Sequence, residues 1–343
     1  MNRLIKISGL GMGVVMLTVS TCGAVAQATT KPSLTAPVAP AAAKGLSLQT
    51  LNPTTQPDPF PAVNKKYFTA DLPTVATVDS YLKAVLGYDA NRIWRVMAIQ
   101  KTAAAGVTKV TAMISERSPN AKVQTAIFFV MPDGKHLVAD GSGVQPFGAA
   151  PYGETREILQ SRADGPYRGS AAKELMLVEF ADLQCPHCKD AQVTMKRLAE
   201  DFPKARVVYQ SFPLVEIHPF AFSAAAYGLC VAKKSNEAFF TYAEAVYATQ
   251  GALTTDTGVQ TLKDAATKAG LDAEATATCA ETPAVIAAVN ASANLAVDLG
   301  VDSTPMLSVN GRLLPLTTLP YETLKQLIVF QAGLDGAQAA AGH

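Results

Sequence analysis

Two cysteines separated by two residues, Cys185 and Cys188, are the clearest chemical feature of this sequence. They follow a short apolar run, residues 174–180, and precede apolar residues at helical spacing. A C-x-x-C pair where a buried strand meets a helix is typical of thiol–disulfide redox chemistry. Free N–H groups and the dipole at the helix N-terminus would favour the Cys185 thiolate. We therefore predict that Cys185 is the nucleophile and Cys188, one turn further on, the resolving thiol.

The dipeptide between the cysteines, Pro186-His187, suits this position. Proline is favoured in the first turn of a helix because it has no N–H to lose there. His187 adds a donor and, when protonated, a positive charge. A strongly stabilised Cys185 thiolate favours the dithiol over the disulfide, so the disulfide form becomes a good oxidant of client thiols.

A cysteine pair can also bind zinc, attach haem or form an inert disulfide. Zinc needs about four ligands, and the sequence has no second C-x-x-C. Haem attachment needs C-x-x-C-H, but Lys189 follows Cys188. An inert disulfide would close only a tiny loop and stabilise little. We predict no metal and no cofactor.

Residues 178–188, VEFADLQCPHC, resemble the active-site segment of DsbA-like thiol:disulfide oxidoreductases. Residues 303–306, Ser-Thr-Pro-Met, resemble the Thr–cis-Pro loop that faces the cysteines in that family. Residues 211–214 and 218–219 resemble the segment leading into its helical insertion. The likeness covers about residues 170–335 and implies a thioredoxin-like fold with an inserted helical subdomain.

The resemblance also implies supporting residues. Pro305, after Thr304, would hold a cis bond and present backbone to a client strand; the alternative is an ordinary trans proline. Glu179 stands where the family has a buried acid, which could exchange a proton with Cys188. The alternative is a solvated glutamate at a strand end. Gln210 stands near the place where the family has another charged residue.

Cys230 and Cys279 lie 49 residues apart in an alanine-rich helical region. We predict a structural disulfide between them, contributing about 4 kcal/mol on a chain-entropy argument. The alternative is two buried free thiols. His136 is interpreted as a strand surface residue. His218, before Pro219, is interpreted as the beginning of a helix and not as a metal ligand.

Residues 1–26 have the features of a secretory signal peptide: a basic start, an apolar stretch and an A-x-A site ending at Ala26. A retained anchor is the alternative, and a lipoprotein modified at Cys22 is another. Cleavage would leave four cysteines, an even number that suits an oxidising compartment. The prediction is a periplasmic or otherwise extracytoplasmic protein.

Composition narrows the function classes. The 343 residues are 49% apolar and 17% charged, which excludes a disordered chain. The formal net charge of +1 offers no broad basic field, so no nucleic-acid partner is predicted. Residues 27–63 are rich in Ala and Pro and are predicted to form an extended linker.

The pattern of elements predicts two domains. Residues 64–150 read as a helix followed by a strand meander, a small α+β domain. Residues 165–335 read as β-α-β, a helical insertion at about 219–300, and β-β-α. The predicted class is therefore α/β, with a thioredoxin-like fold after the small domain. Client binding or homodimer formation is the predicted role of residues 64–150.

We predict an exported thiol:disulfide oxidoreductase that introduces disulfides into client proteins and is reoxidised by a membrane partner or a small oxidant. An isomerase or reductase is the nearest alternative. A non-enzymatic envelope chaperone or metal-binding protein on the same scaffold is the alternative from another class.

Overall fold

The computed structural model describes residues 58–139, 143–337 and 339. The predicted signal peptide, Cys22 and most of the predicted linker lie outside the described residues. Within the described ranges, no helix has the length and apolar character needed to cross a membrane.

The first sheet is an antiparallel meander in the order β1-β2-β3-β4-β5. Helix α1 and these strands have the following bounds: α1 Val75–Leu86, β1 Arg92–Lys101, β2 Thr108–Glu116, β3 Gln124–Val130, β4 His136–Ala139 and β5 Val144–Pro146. Helix α1 buries Val78 and Leu82, four residues apart on one face, against the sheet residues Ile99 and Val110. The predicted helix and meander are therefore present.

The second sheet carries the cysteine pair and has the order β10-β9-β7-β8-β6. Its strands are β6 Tyr167–Gly169, β7 Met176–Ala181, β8 Arg206–Ser211, β9 Met306–Val309 and β10 Arg312–Pro315. Strand β7 is central, parallel to β8 and antiparallel to β9, and all its residues are buried. A continuous apolar run is expected of a strand that is covered on both faces.

Helices cover both faces of this sheet. They are α2 Gly153–Arg162, α3 Pro186–Asp201, α8 Pro283–Asp298 and α9 Tyr321–Leu334. On one face, Leu177 of β7 packs with Leu198 of α3 and Ile328 of α9. On the other, Phe180 packs with Leu295 of α8. Successive side chains of β7 point into the two cores in turn, so nearly all of its residues are apolar.

A helical block separates β8 from β9. It consists of α8 together with α4 Ala221–Ala232, α5 Asn236–Ala248, α6 Gly258–Lys268 and α7 Ala273–Ala280, with a 3-10 turn at Gln250–Ala252. Small residues let these helices approach closely. A Cβ added at Gly228 of α4 would lie 3.0 Å from Phe239 of α5. The predicted α/β class with a helical insertion is confirmed.

Two edge strands escaped prediction. Strands β5 and β6 have three residues each, and no residue of either is buried. They pair at sheet edges, where the backbone and not an apolar pattern defines the strand. Pro146 is the last residue of β5.

Candidate active site

Cys185 lies between the central strand β7 and helix α3. Strand β7 ends at Ala181, three loop residues follow, and Cys185 is the N-cap of α3 with extended backbone angles of −74° and 123°. Pro186 takes the first helical position. The Cys185 N–H donates to the Asp182 carbonyl oxygen at 3.1 Å, which closes the loop in a tight turn. These contacts place Cys185 at the N-terminus of α3, where the first-turn N–H groups have no partners within the helix.

Hydrogen bonds lower the pKa of Cys185 to about 5. The largest contribution is the hydrogen bond with the Cys188 thiol, and burial acts in the opposite direction. The Thr304 hydroxyl and the backbone N–H groups of Cys188 and His187 lower the pKa further. At neutral pH the Cys185 sulfur is therefore predominantly a thiolate, the form that acts as nucleophile.

Cys188 lies one turn into α3 and is fully buried. Burial raises the pKa of its thiol well above the ordinary value, and the Cys185 sulfur and the Glu179 carboxylate raise it further. Two groups act the other way: the Asp182 backbone N–H, which donates to Cys188 Sγ at 3.4 Å, and the Thr304 side chain. Both cysteines are free thiols. The two thiols of the pair therefore differ, since the pKa of Cys185 is lowered and that of Cys188 is raised.

Glu179 lies in the middle of β7 with 2% of its surface exposed, so it is not a solvated carboxylate at a strand end. Gln192 Nε2 donates both to Glu179 Oε1 at 2.9 Å and to the Cys188 carbonyl oxygen at 3.1 Å. Burial raises the pKa of Glu179 to about 7, although Gln192 and the Arg168 charge act to lower it. A carboxyl group with this pKa can hold or release a proton near neutral pH.

The Thr304–Pro305 peptide bond is cis and lies beside the cysteines. The Cys185 thiol is 3.8 Å from the Thr304 carbonyl oxygen. The Pro305 carbonyl oxygen already accepts the Leu316 N–H at 3.2 Å, and a proline has no N–H to offer. Backbone pairing with a client strand would therefore fall to Thr304 and not to Pro305.

Sequence reasoning missed Asp182 and its partner His218. The Asp182 side chain has no exposed surface, and its carboxylate accepts three hydrogen bonds: Gln184 N–H at 2.7 Å, Leu214 N–H at 3.0 Å and His218 Nδ1 at 2.8 Å. His218 lies in the loop after β8, ahead of α4, which begins at Ala221. A signal was present: Asp182 and His218 follow the neighbouring parallel strands β7 and β8, whose carboxyl ends meet at one sheet edge.

Two glutamines join the cysteine loop to the helical block. Gln250 Nε2 donates to the carbonyl oxygens of Leu183 and Cys185, both at 2.9 Å. Gln184 Oε1 accepts the Phe220 N–H at 2.7 Å, and its Nε2 donates to the Leu253 carbonyl oxygen at 3.2 Å. The helical block therefore holds the chain from Leu183 to Cys185 in place.

The remaining candidate residues lie elsewhere. A disulfide joins Cys230 of α4 to Cys279 of α7. Gln210 is buried and donates to Ser292 Oγ at 2.8 Å, on the side facing α8. His136 pairs with Asp133 at the end of the first sheet. Across the described ranges, no group of three or more His, Cys, Asp and Glu side chains is arranged to hold a metal ion.

Residues 161–329 match a family model described as Thioredoxin. The catalytic domain of Proteus mirabilis ScsC is 22% identical with a TM-score of 0.44, covering 52% of this chain and 98% of that chain. The thiol-disulfide exchange protein alpha-DsbA2 from Wolbachia pipientis is 23% identical with a TM-score of 0.44, covering 53% and 97%. Oxidised BdbD from Bacillus subtilis is 19% identical with a TM-score of 0.43, covering 49% and 93%.

Two curated sequences match a shorter segment. The Na(+)/H(+) antiporters NhaA 3 of Salinispora tropica and NhaA 1 of Salinispora arenicola are each 36% identical over 58 residues, or 17% of this chain. The match spans only 9% of each antiporter's length.

Proposed function

We propose that this protein is an exported oxidase that introduces disulfides into client proteins, and that residues 161–329, which match a family model described as Thioredoxin, carry a DsbA-like thiol:disulfide exchange activity. The observation that carries the proposal is the position of the Cys185 sulfur at the N-terminus of α3, beside Thr304 and the Cys188 thiol, an arrangement that lowers the pKa of Cys185 to about 5. A stabilised thiolate stabilises the dithiol form, so the Cys185–Cys188 disulfide gives up its bond readily to client thiols.

The reaction begins with the Cys185–Cys188 disulfide. A client thiolate attacks Cys185 Sγ; the client–Cys185 disulfide forms, the Cys185–Cys188 bond breaks, and Cys188 leaves as a thiolate. A second client thiolate then attacks the client sulfur of the mixed disulfide. The client disulfide forms and Cys185 leaves as a thiolate. Two electrons pass from the client dithiol to the enzyme's cysteines.

Glu179 donates a proton to the Cys188 thiolate and accepts it back in the reverse reaction. The departing Cys188 thiolate lies in a buried site that strongly favours the thiol. Glu179, whose pKa is raised to about 7, can supply that proton near neutral pH and accept it in the reverse reaction. Gln192 bridges the two residues and orients the carboxyl group.

Client recognition uses the backbone beside the cis proline. Thr304 lies next to the Cys185 sulfur, and an extended client segment pairs with its backbone by strand addition. Backbone pairing is independent of client side chains, which suits an enzyme whose substrates share only cysteine thiols.

Each turnover leaves the enzyme as a dithiol, so the cycle requires an oxidant, either a membrane partner or a small molecule. Export rests on the sequence features of residues 1–26. The part of residues 64–150 in client binding or in forming a homodimer stays a prediction.

The test is the equilibrium of the purified protein with reduced and oxidised glutathione. We expect a reduction potential well above the value of about −270 mV typical of thioredoxin. The assay needs Cys185→Ser as control, because this variant cannot form the active-site disulfide while Cys230 and Cys279 remain.

The alternatives give different results. A potential near or below about −270 mV would replace the oxidase with a reductase or isomerase that needs an electron supply. A pair that does not exchange with glutathione at all would favour the envelope chaperone or metal-binding protein.

A further inference from the structure

We infer that Asp182 and His218 are positioning residues for the exchange step in which the Cys188 sulfur leaves or attacks. The inference rests on the proposed function and adds two residues to it. Neither residue touches a client in this scheme; both act through the backbone of the loop that precedes Cys185.

Asp182 contacts both cysteines through its backbone. Its N–H donates to Cys188 Sγ at 3.4 Å, and its carbonyl oxygen accepts the Cys185 N–H at 3.1 Å. A shift of the Asp182 N–H would therefore withdraw the backbone donor from Cys188 Sγ. The Asp182 N–H is the backbone donor that favours the thiolate of Cys188.

The Asp182 side chain fixes that backbone. Its carboxylate has no exposed surface and accepts N–H donors from two loops, those of Gln184 and Leu214. His218 Nδ1 makes the third bond, at 2.8 Å. Buried carboxylates depend on such partners, because an unpaired charge away from water is strongly destabilising. The loop after β8 thus locks the loop after β7.

His218 is the replaceable part of this arrangement. Its side chain keeps 16% of its surface exposed, whereas the Asp182 side chain has none. Removing the imidazole leaves Asp182 with its two backbone donors and frees the carboxylate to turn toward water. The backbone N–H would move with it, away from Cys188 Sγ.

The consequence is confined to one chemical step. When Cys188 leaves Cys185, or attacks it in reverse, negative charge develops on Cys188 Sγ opposite the Asp182 N–H. When a second thiolate resolves the mixed disulfide, the negative charge develops on Cys185 Sγ, and Cys188 acts only as a neutral hydrogen-bond donor to that sulfur. A donor that matters only for Cys188 changes the first step and spares the second.

The experiment follows both steps with reduced glutathione. In the first step, glutathione thiolate attacks Cys185 Sγ of the oxidised protein and Cys188 leaves as a thiolate. In the second, another glutathione thiolate attacks the glutathione sulfur, forming oxidised glutathione and releasing the Cys185 thiolate. Acid quenching and mass spectrometry count the oxidised, glutathionylated and reduced protein over time, and peptide mapping assigns the mixed disulfide to Cys185.

We expect His218→Leu to slow the first step about tenfold, the size of one hydrogen bond to a charged group, and the second step less than about twofold. His218→Asn places an amide N–H where Nδ1 was and restores the first step to within about threefold. His218→Gln, whose amide lies further out, does not restore it. His136→Leu breaks the exposed pair with Asp133 and serves as the matched control, with both steps unchanged.

Equal slowing of both steps, or no slowing by His218→Leu, would overturn the inference while leaving the proposed function in place. If His218→Leu fails to fold, the contrast between His218→Asn and His218→Gln decides, and identical first-step rates in those two variants would overturn it. No exchange by the unmodified protein would overturn the proposed function and this inference with it.

Discussion

The two cysteine pairs of this chain occupy opposite surroundings. Cys185 and Cys188 are free thiols at the start of α3, where hydrogen bonds lower the pKa of Cys185 to about 5. Cys230 and Cys279 form a disulfide that ties α4 to α7 across 49 residues of chain. The first pair closes almost no loop but is surrounded by donors aimed at sulfur. The second closes a long loop between packed helices.

This difference shows that the surroundings of a cysteine pair decide whether it exchanges disulfides or stabilises the fold. Donors at a helix N-terminus stabilise a thiolate and so make a disulfide easy to reduce. A long closed loop restricts the unfolded chain and so stabilises the fold. We expect the first pair to carry activity and the second to carry stability, and four measurements can break or sharpen that division.

The largest effect is expected on exchange activity. Cys185→Ser should reduce the oxidation of a dithiol peptide by more than about a thousandfold, because the attacked sulfur is gone. The double variant Cys230→Ala/Cys279→Ala should retain the peptide oxidation rate of the unmodified protein. Loss of activity in the double variant, with the fold intact by circular dichroism, would show that the second pair is not purely structural.

The second prediction concerns stability. Cys230→Ala/Cys279→Ala should lower the free energy of unfolding in urea by about 4 kcal/mol, since the 49-residue separation sets the entropy of the closed loop. The corresponding double variant of Cys185 and Cys188 should not show this loss, because that loop is very short. Equal losses in the two double variants would erase the distinction between the pairs.

The third prediction uses the buried carboxyl group behind the first pair. Burial raises the pKa of Glu179 from 4.5 to about 7, so the folded protein favours the protonated form. The stability that this group contributes is complete below pH 4.5 and is lost as the pH rises through about 7. The free energy of unfolding of Glu179→Gln, relative to that of its parent, should therefore rise by about 3 kcal/mol when the pH is raised from 4 to 9.

Urea denaturation at both pH values measures this difference, on a Cys185→Ser/Cys188→Ser background that removes thiol titration from the comparison. Glu157→Gln, at an exposed position of α2, is the matched control. A pH-independent difference for Glu179→Gln would mean that the carboxyl group is not held in its neutral form by burial.

The smallest effect is expected at Gln250. Gln250→Ala leaves the carbonyl oxygens of Leu183 and Cys185 without their amide donor, which should cost about 1–2 kcal/mol of folding free energy. It should also shift the glutathione equilibrium a few-fold, because those carbonyls flank the nucleophile. Gln260→Ala, which breaks a bond to Asp264 on an exposed helix face, is the control. An unchanged equilibrium would show that the helical block does not shape the first pair.

Local patterns in the sequence predicted most of the elements. The apolar run before Cys185 indicated the buried strand β7, and the spacing of Ala191, Met195 and Leu198 indicated α3; all three side chains are buried. Such patterns are readable because burial imposes a period on the chain within a few residues. The edge strands β5 and β6 have no buried face and therefore left no such pattern.

The candidate site was predicted only in part, for a related reason. Cys185, Cys188 and the Thr304–Pro305 loop were visible as short motifs. The bond between Asp182 and His218 spans 36 residues, and those from Gln250 to the cysteine loop span 65 and 67. Single aspartates, histidines and glutamines are common, and the signal for Asp182 and His218, their place after two parallel strands, depends on knowing that those strands are neighbours.

The sequence by itself determined which of the two sulfurs lies at the start of a helix. A two-residue spacing with proline in first position places Cys185 at the N-terminus of α3 through backbone geometry alone. Only the tertiary structure decided the pKa values and the hydrogen bonds of the groups around the two cysteines. Packing of distant segments buries Glu179 and so raises its pKa. It also brings the Asp182 N–H to Cys188 Sγ and the Gln250 amide to the Leu183 carbonyl oxygen. Burial and long-range hydrogen bonds are properties of the packed chain, and short-range spacing does not encode them.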